Sequence, residues 1–133
     1  MATVAPRLLL IDDDQTLTDL LAQYLGRNGC SVVTAHSAEA AIRMLQSDSH
    51  FDLAVMDIMM PGMTGLELLP VIRSSWHIPV IMLTTTDDIR EVDRCYNLGC
   101  NVYITKPVDY EQFSEAIRKI GLFLSVVTIP QGE

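Results

Sequence analysis

The 133-residue sequence predicts one α/β domain built on a five-stranded, doubly wound parallel sheet. Three observations support this fold class. Five short apolar runs alternate with segments of helical periodicity, as in a chain of βα units. The length is that of one domain, and apolar residues make up 49% of the chain, which is enough for a core. Right-handed crossovers place helices on both faces of such a sheet.

The predicted strands are short runs of apolar and β-branched residues. They cover 7–11, 31–35, 51–56, 79–83 and 102–105. Runs that are apolar almost throughout are typical of strands buried on both faces, as in a parallel sheet. The second strand ends without a reactive group, whereas the other four end at acids, a hydroxyl or a lysine. This pattern predicts a polar edge at the carboxyl ends of the strands.

The first two predicted helices follow the first two strands. Segment 14–29 carries apolar residues at i, i+3, i+4, i+7 and i+8, so they share one face of a helix that ends near Gly26 or Gly29. Ser37 is a suitable N-cap for the second helix, which breaks at 47–50. The residues predicted to face the core are Leu17, Leu20, Leu21, Tyr24, Leu25, Ala41, Met44 and Leu45.

The third predicted helix starts after a loop that contains Pro61 and Gly62. Thr64 and Glu67 form a T-x-x-E capping box there. Pro70 falls at the sixth helical position, where it removes an interior hydrogen bond and costs about 3 kcal/mol. We therefore expect a kink or an early end at Pro70. The residues predicted to face inward are Leu66, Leu69 and Ile72.

The last two predicted helices flank the fifth strand. The fourth covers 87–98 and closes at Gly99. Asp109 and Gln112 form a further capping-box pattern that opens the fifth. Its predicted inward-facing residues are Phe113, Ala116, Ile117 and Ile120.

The charge balance excludes several classes of partner. The chain has 17 acidic against 9 basic residues, a net charge of −8. It therefore lacks the basic stripe through which proteins bind nucleic acids or anionic membranes. No apolar run approaches the ~20 residues of a membrane span, and the start of the chain lacks a signal peptide. We expect a cytoplasmic protein. The thiols of Cys30, Cys95 and Cys100 form no disulfide framework and are predicted to be buried.

Polar residues at the strand ends predict a site at one edge of the sheet. They are Asp12, Asp13, Asp57, Thr84 and Lys106. Ligands of open parallel sheets bind at the carboxyl ends of the strands. Clustered carboxylates repel each other unless a cation compensates, and oxygen donors favour a hard cation, Mg²⁺ first and Mn²⁺ as a substitute. A lysine, a hydroxyl and a metal ion around a carboxylate suit a phosphoryl group on that carboxylate.

Four sequence strings carry a resemblance to a known family. LLLIDDD, LAVMDIMMPGMTGLELL, PVIMLTT and GCNVYITKP resemble, in order and spacing, the receiver domain of two-component response regulators, over about 7–120. The resemblance implies a flavodoxin-like (βα)5 sandwich with strand order 2-1-3-4-5. It also implies a chemotaxis-type signalling protein that is not an enzyme beyond assisting its own phosphorylation and dephosphorylation.

The resemblance assigns the phosphoacceptor and the metal site. Asp57 would take a phosphoryl group from a histidine kinase or a histidine phosphotransfer protein. Asp13 would hold Mg²⁺ directly and Asp12 through water, together with Asp57 and the backbone carbonyl of Met59. Met59 and Thr86, two residues beyond the acceptor and the hydroxyl, would tune the lifetime of the phosphate. The downstream effector is not identified.

The resemblance also implies a conformational switch. Lys106 would pair with the phosphoryl group, with a cis bond between Lys106 and Pro107. Thr84 would donate its hydroxyl, and Tyr103 would turn inward behind it. The output surface would be formed by the fourth helix, the fifth strand and the fifth helix, over 87–120.

Two alternatives stay open from the sequence. Asp12, Asp14 and Thr16 spell D-x-D-x-T, which resembles the nucleophile motif of haloacid-dehalogenase-like phosphatases, with Asp12 as nucleophile. The chain is short for that class, and the loop after Asp57 would have no role. The other alternative is a receiver fold that serves as an unphosphorylated binding module, which the retained acids and lysine disfavour.

The predicted organisation is an N-terminal extension over 1–6, a receiver domain over 7–124 and a C-terminal tail over 125–133. No basic linker or second domain follows, so we expect a stand-alone regulator. The apolar, β-prone ending either continues the fifth helix and docks, or forms an arm that pairs with another subunit. A homodimer is expected through this tail or through the 87–120 face.

Overall fold

The computed structural model of the protein describes residues 6–47, 50–85, 89–106 and 108–119, where five strands and five helices alternate. The strands are β1 (Arg7–Ile11), β2 (Ser31–Ala35), β3 (Leu53–Asp57), β4 (Val80–Thr84) and β5 (Val102–Thr105). The helices are α1 (Gln15–Arg27), α2 (Ala38–Ser47), α3 (Gly65–Ser75), α4 (Ile89–Asn97) and α5 (Tyr110–Lys119). The strands pair in parallel in the order β2-β1-β3-β4-β5. The predicted fold class and strand order are confirmed.

Each face of the sheet has its own core, because alternate strand residues point to opposite faces. α1 and α5 cover one face, where Leu21, Leu25 and Phe113 are buried. α2, α3 and α4 cover the other face, where Leu45 and Ile72 are buried. Burying side chains of this size contributes about 1.5–3 kcal/mol each. The two layers of helices hold the strand ends, and therefore the polar edge, in place.

Polar side chains start the helices that follow the strands. Asp14 accepts a hydrogen bond from the backbone N–H of Leu17 at 3.1 Å and caps α1. The Ser37 hydroxyl accepts one from the backbone N–H of Ala40 at 3.1 Å, and Asp109 accepts one within the first turn of α5 at 2.9 Å. The caps predicted at Ser37 and Asp109 are confirmed. They fix where the chain turns away from the polar edge.

The third helix has the predicted capping box but not the early end at Pro70. The Thr64 N–H donates to Glu67 Oε1 at 2.8 Å, and the Glu67 N–H donates to Thr64 Oγ1 at 3.3 Å. α3 runs past Pro70 to Ser75. Of the two expected outcomes, the early end is wrong because burial of one helix face outweighs the missing hydrogen bond, and the kink stays a prediction. The buried side chains are Leu68, Leu69 and Ile72.

Other predicted details differ from the structure in small ways. Leu20 was expected on the buried stripe of α1, but its side chain is 48% exposed, because α1 docks through Leu21 and Leu25. β3 and β4 each extend to the polar residue that follows the apolar run, so Asp57 and Thr84 are the last residues of their strands. The side chains of these two residues therefore have the well-defined direction of a strand position.

The three thiols are buried, as the sequence predicts. Burial raises the pKa of Cys30 to about 11. Burial, with the neighbouring Cys95, raises the pKa of Cys100 to about 12. These groups stay protonated at neutral pH and therefore have little nucleophilic character.

Some predictions fall outside the described residues. These are most of the N-terminal extension, Thr86, the cis bond at Pro107, Ile120 and the tail over 125–133. In the part of the chain that the structure describes, none of the helices combines the length and apolar character needed to cross a membrane.

Candidate functional site

Four strands bring polar side chains to one edge of the sheet. Asp57 and Thr84 end β3 and β4, while Asp12 follows β1 and Lys106 follows β5. The backbone continues the sheet into these positions, because the Lys106 N–H donates to the Thr84 carbonyl at 2.7 Å and the Asp12 N–H donates to the Ala35 carbonyl at 3.0 Å. The parallel order of the strands therefore brings together residues that lie up to 94 positions apart.

The centre of the site is a lysine between two carboxylates. Lys106 Nζ lies 3.0 Å from Asp12 Oδ2 and 3.3 Å from Asp57 Oδ2. The two aspartate side chains are almost fully buried, whereas that of Lys106 is 17% exposed. Asp13 is exposed, yet one of its oxygens lies within 4.8 Å of an oxygen from each of the other two aspartates. The structure thus brings together four of the five residues that the sequence predicts at this edge.

The electrostatics of the site favour an additional positive charge. Burial and the neighbouring Asp12 raise the pKa of Asp57 to about 6, against the opposing effects of Lys106 and the backbone N–H of Met59. Burial lowers the pKa of Lys106, but hydrogen bonds and charge interactions with Asp12 and Asp57 outweigh this effect and raise it. With all three aspartates ionised, one lysine leaves two negative charges uncompensated.

The ligands in this cluster fit a divalent hard cation. All three side chains offer carboxylate oxygens, which Mg²⁺ and Mn²⁺ prefer. Asp12 already uses one oxygen for Lys106 and the other for the backbone N–H of Asp14, at 2.9 Å. Asp13, the exposed member, is therefore the better placed of the two to contact an ion directly. The family resemblance implies the same division of roles, which stays a prediction.

Thr84 is buried at the edge of the site and contacts a residue that the sequence did not single out. Its side chain is 2% exposed, and its Oγ1 donates a hydrogen bond to Glu91 Oε1 on α4 at 3.4 Å. Glu91 lies in the first turn of α4 and is half-buried. An acid in the first turn of a helix is common, so its spacing of seven residues from Thr84 gave no specific signal.

Tyr103 lies next to the site rather than in it. Its ring is half-buried and makes an edge-to-face contact with Tyr96 on α4, with ring centroids 5.9 Å apart. Both rings line a groove of about 380 Å³ between α4, β5 and α5. Gln112, Glu115 and Ala116 lie on its α5 side.

The loop after Asp57 is fixed by a close backbone contact at Gly65. A Cβ on Gly65 would lie 2.2 Å from the backbone oxygen of Asp57 and 2.9 Å from the Cα of Ile58, so no other residue fits without displacement. The Gly65 N–H also donates to the Ile58 carbonyl at 2.9 Å. Met59, within this loop, is 65% exposed. β3 and α3 therefore share one rigid junction.

The D-x-D-x-T motif has a structural role at its second position, Asp14. The Asp14 carboxylate caps α1, and Thr16 is exposed on that helix. Asp12 accepts a hydrogen bond from Lys106 Nζ at 3.0 Å. The arrangement gives the phosphatase alternative no support.

Comparisons with known proteins agree on one family. A family model described as the response regulator receiver domain matches residues 8–118. The chain is 35% identical over 112 residues to proteins named heme response regulator HssR from Staphylococcus epidermidis and Staphylococcus aureus. That match covers 84% of this chain but 50% of each relative, so the chain spans about half the length of the curated relatives it matches.

Solved structures show the same fold. A response regulator receiver protein from Pseudomonas putida superimposes with a TM-score of 0.82 at 28% identity, covering 89% of this chain and 99% of that one. A CheY-like receiver domain protein from Methanospirillum hungatei gives 0.80 at 30% identity, with 88% and 94% covered. Chemotaxis protein CheY4 from Vibrio cholerae gives 0.82 at 24% identity, with 87% and 98% covered, which is a likeness of fold alone.

Proposed function

The chain belongs to the response regulator receiver domain family, and on this basis we propose that it is a phosphorylation switch with Asp57 as the phosphoacceptor. The observation that carries the proposal is the buried Asp57 carboxylate, held 3.3 Å from Lys106 Nζ beside two further aspartates. A carboxylate in this setting ends its strand at the edge of the sheet and has a cation in place for the charge it would receive.

In the proposed reaction, an Asp57 carboxylate oxygen attacks the phosphorus of a phosphohistidine on a partner protein. The new P–O bond forms as the P–N bond breaks, and the departing imidazole takes up a proton. Lys106 offsets charge on the phosphoryl oxygens, because its ammonium already lies within hydrogen-bond distance of the acceptor. When bound by Asp12, Asp13, Asp57 and the carbonyl of Met59, Mg²⁺ would supply further neutralisation of that charge.

The proposed switch uses groups next to the acceptor. The Thr84 hydroxyl would donate to the phosphoryl group, and the cis bond proposed between Lys106 and Pro107 would orient the lysine. The phosphoryl group adds up to about two negative charges and three acceptor oxygens at one point. A shift of Thr84 would open space for Tyr103 and so change the surface formed by α4, β5 and α5.

The proposed partners follow from this chemistry. The donor is a histidine kinase or a histidine phosphotransfer protein, and the response is read by a protein effector or by a second copy of the chain. Such donors act on receivers in the cytoplasm, where we place this protein. We propose no turnover of a free substrate, in contrast to a phosphatase.

The test of the proposed function is incorporation of phosphate from a small phosphodonor such as acetyl phosphate. With Mg²⁺ present, we expect one acyl phosphate per chain that is labile to acid, to base and to hydroxylamine, and that borohydride reduction and mass spectrometry map to Asp57. Phosphate on Asp12 would support the phosphatase alternative instead. Absence of incorporation, with Mg²⁺ shown to bind, would favour an unphosphorylated binding module.

Exchanging Asp13 for Asn tests the metal site. We expect Mg²⁺ and Mn²⁺ affinity to fall about tenfold or more, because the exposed carboxylate is a direct ligand and changes even in supporting groups cost this much. Calorimetric titration, or titration followed by the electron paramagnetic resonance signal of Mn²⁺, measures the metal affinity. Asp14→Asn is the matched control, since asparagine also caps helices and the Asp14 carboxylate is committed to α1. Equal losses in both variants would contradict the assignment.

Exchanging Met59 for Asn tests the proposed lifetime of the phosphate. The exposed thioether of Met59 orients water poorly, so the wild type is expected to lose phosphate slowly. An asparagine amide can hydrogen-bond the attacking water, and about 1.4 kcal/mol in the transition state is a tenfold gain in rate. The rate of phosphate release after removal of the donor measures it. Met59→Leu should keep the slow rate, and a wild type faster than Met59→Asn contradicts the prediction.

A further inference from the structure

The Thr84 hydroxyl is engaged before any phosphoryl group arrives. Thr84 Oγ1 donates to Glu91 Oε1 at 3.4 Å, across the junction between β4 and α4. Thr84 is 2% exposed, and Glu91 is half-buried. The contact therefore lies under the helix, where competition from water is weaker than at the surface.

A threonine hydroxyl has one proton to donate. An ionised carboxylate and a phosphoryl group can both only accept hydrogen bonds. The proton that Thr84 gives to Glu91 is therefore not available to a phosphoryl group on Asp57 at the same time. Each of the two contacts excludes the other.

Glu91 faces the interior side of α4 and is linked to the output surface through that helix. After burial itself, the Glu91 carboxylate is the main cause of the raised pKa of Cys95, one turn further along. Val92 and Cys95 pack α4 into the core, and the next residue, Tyr96, contacts Tyr103. A change at Glu91 is thus transmitted to a helix whose other end lies against Tyr103.

We propose that Glu91 is a resting-state latch: it holds the Thr84 hydroxyl on α4, and Thr84 must leave Glu91 to bind the phosphoryl group. Glu91 is a positioning residue that acts through Thr84, and its role rests on the proposed function of Asp57. The contact between Thr84 and Glu91 must break before Thr84 binds the phosphoryl group, so its free energy opposes activation. When the contact breaks, the first turn of α4 loses its hydrogen bond to β4.

The test is a double-mutant cycle on the affinity for beryllofluoride, a mimic of the phosphoryl group, at fixed Mg²⁺. The four proteins are the wild type, Glu91→Ala, Thr84→Ala and the double variant. Glu91→Ala should bind about fivefold more tightly than the wild type, as loss of one competing hydrogen bond predicts. In the Thr84→Ala background the same exchange should change the affinity less than twofold, because no hydroxyl remains to be released. Fluorine NMR titration gives both values.

Two further variants separate the latch from a general effect of charge. Glu91→Gln keeps an acceptor oxygen at the same place and should return the affinity most of the way to that of the wild type. Asp93→Ala removes an exposed acid from the same helix and should leave the affinity unchanged. If the effect came from charge alone, Glu91→Gln and Glu91→Ala would have the same affinity for beryllofluoride. The gain in affinity would also persist in the Thr84→Ala background and would become smaller as the salt concentration rises. These results would overturn the proposal.

Thermal unfolding of each variant detects a merely structural role. A lower midpoint for Glu91→Ala without a change in affinity would overturn the latch. A wild type that binds beryllofluoride, combined with additive effects in the cycle, would overturn the latch and leave the proposed function standing. A wild type that binds Mg²⁺ but no beryllofluoride would contradict the proposed function, and the latch with it.

Discussion

Asp57→Asn will take up no phosphate from a small phosphodonor, and its metal-free form will be more stable than the wild type at pH 7.5. The first effect follows because asparagine lacks the nucleophilic oxygen. The second follows because the folded protein holds the Asp57 carboxylate at a pKa of about 6 instead of 3.8. One pKa unit is worth about 1.4 kcal/mol, so the gain in the free energy of unfolding has an upper limit of about 3 kcal/mol.

The gain in stability expected for Asp57→Asn depends on pH, because it comes from the raised pKa of the Asp57 carboxyl group. A carboxyl group whose pKa is raised by folding binds protons more tightly in the folded state, so ionisation weakens the wild type above about pH 6. The penalty fades as the pH falls from 6 towards 3.8. The advantage of Asp57→Asn should therefore be largest at pH 7–8 and vanish below pH 4. Chemical denaturation across this range measures it, with the exposed Asp19→Asn as control. Uptake of phosphate by Asp57→Asn, or equal stability of this variant and the wild type at pH 7.5, contradicts the role given to Asp57.

Lys106→Met will lower both the stability of the metal-free protein and the rate of phosphorylation. Methionine keeps the length of the side chain but leaves Asp12 and Asp57 buried together without their cation. Breaking a fully buried pair costs 3–5 kcal/mol. Because Lys106 is 17% exposed, we expect about 2 kcal/mol, a lower figure than for full burial. The rate of phosphate uptake should fall about a hundredfold, as when one preorganised donor is lost from a site.

A second variant background tests whether this loss comes from the buried carboxylates. In Asp57→Asn protein, Lys106→Met should cost less, since only the Asp12 carboxylate then lacks compensation. Denaturant unfolding of the four proteins gives the coupling free energy. Arg43→Met, at an exposed cation on α2, is the matched control and should change stability little. An equal cost of Lys106→Met in both backgrounds would show that the ammonium acts elsewhere.

Much of the fold was predictable because local signals agreed with each other. Apolar runs, caps such as Ser37, and the box at Thr64 and Glu67 each depend on neighbours in the chain, and the structure has them where the sequence predicts. The strand order came from the resemblance alone, since spacing along the chain does not determine which strands are adjacent. The clustering of Asp12, Asp57 and Lys106 followed from a general property of parallel sheets.

The details that could not be predicted depend on how the helices dock. Leu20 shares the apolar stripe of α1, but the tilt of that helix decides which part of the stripe reaches the sheet. Pro70 is tolerated because of burial on the opposite side of α3, which no local rule contains. The contact between Thr84 and Glu91 exists only because α4 packs over the end of β4.

The tight junction at Gly65 makes the site more rigid on its β3 side than on its β4 side. On the β3 side, a Cβ at Gly65 has no room against the Asp57 backbone, and the capping box anchors the start of α3. On the β4 side, a long hydrogen bond between Thr84 and Glu91 joins the strand to α4. Strain introduced at Asp57 is relieved where the structure yields most easily. We therefore expect the response proposed for phosphorylated Asp57 to run away from α3 and towards α4.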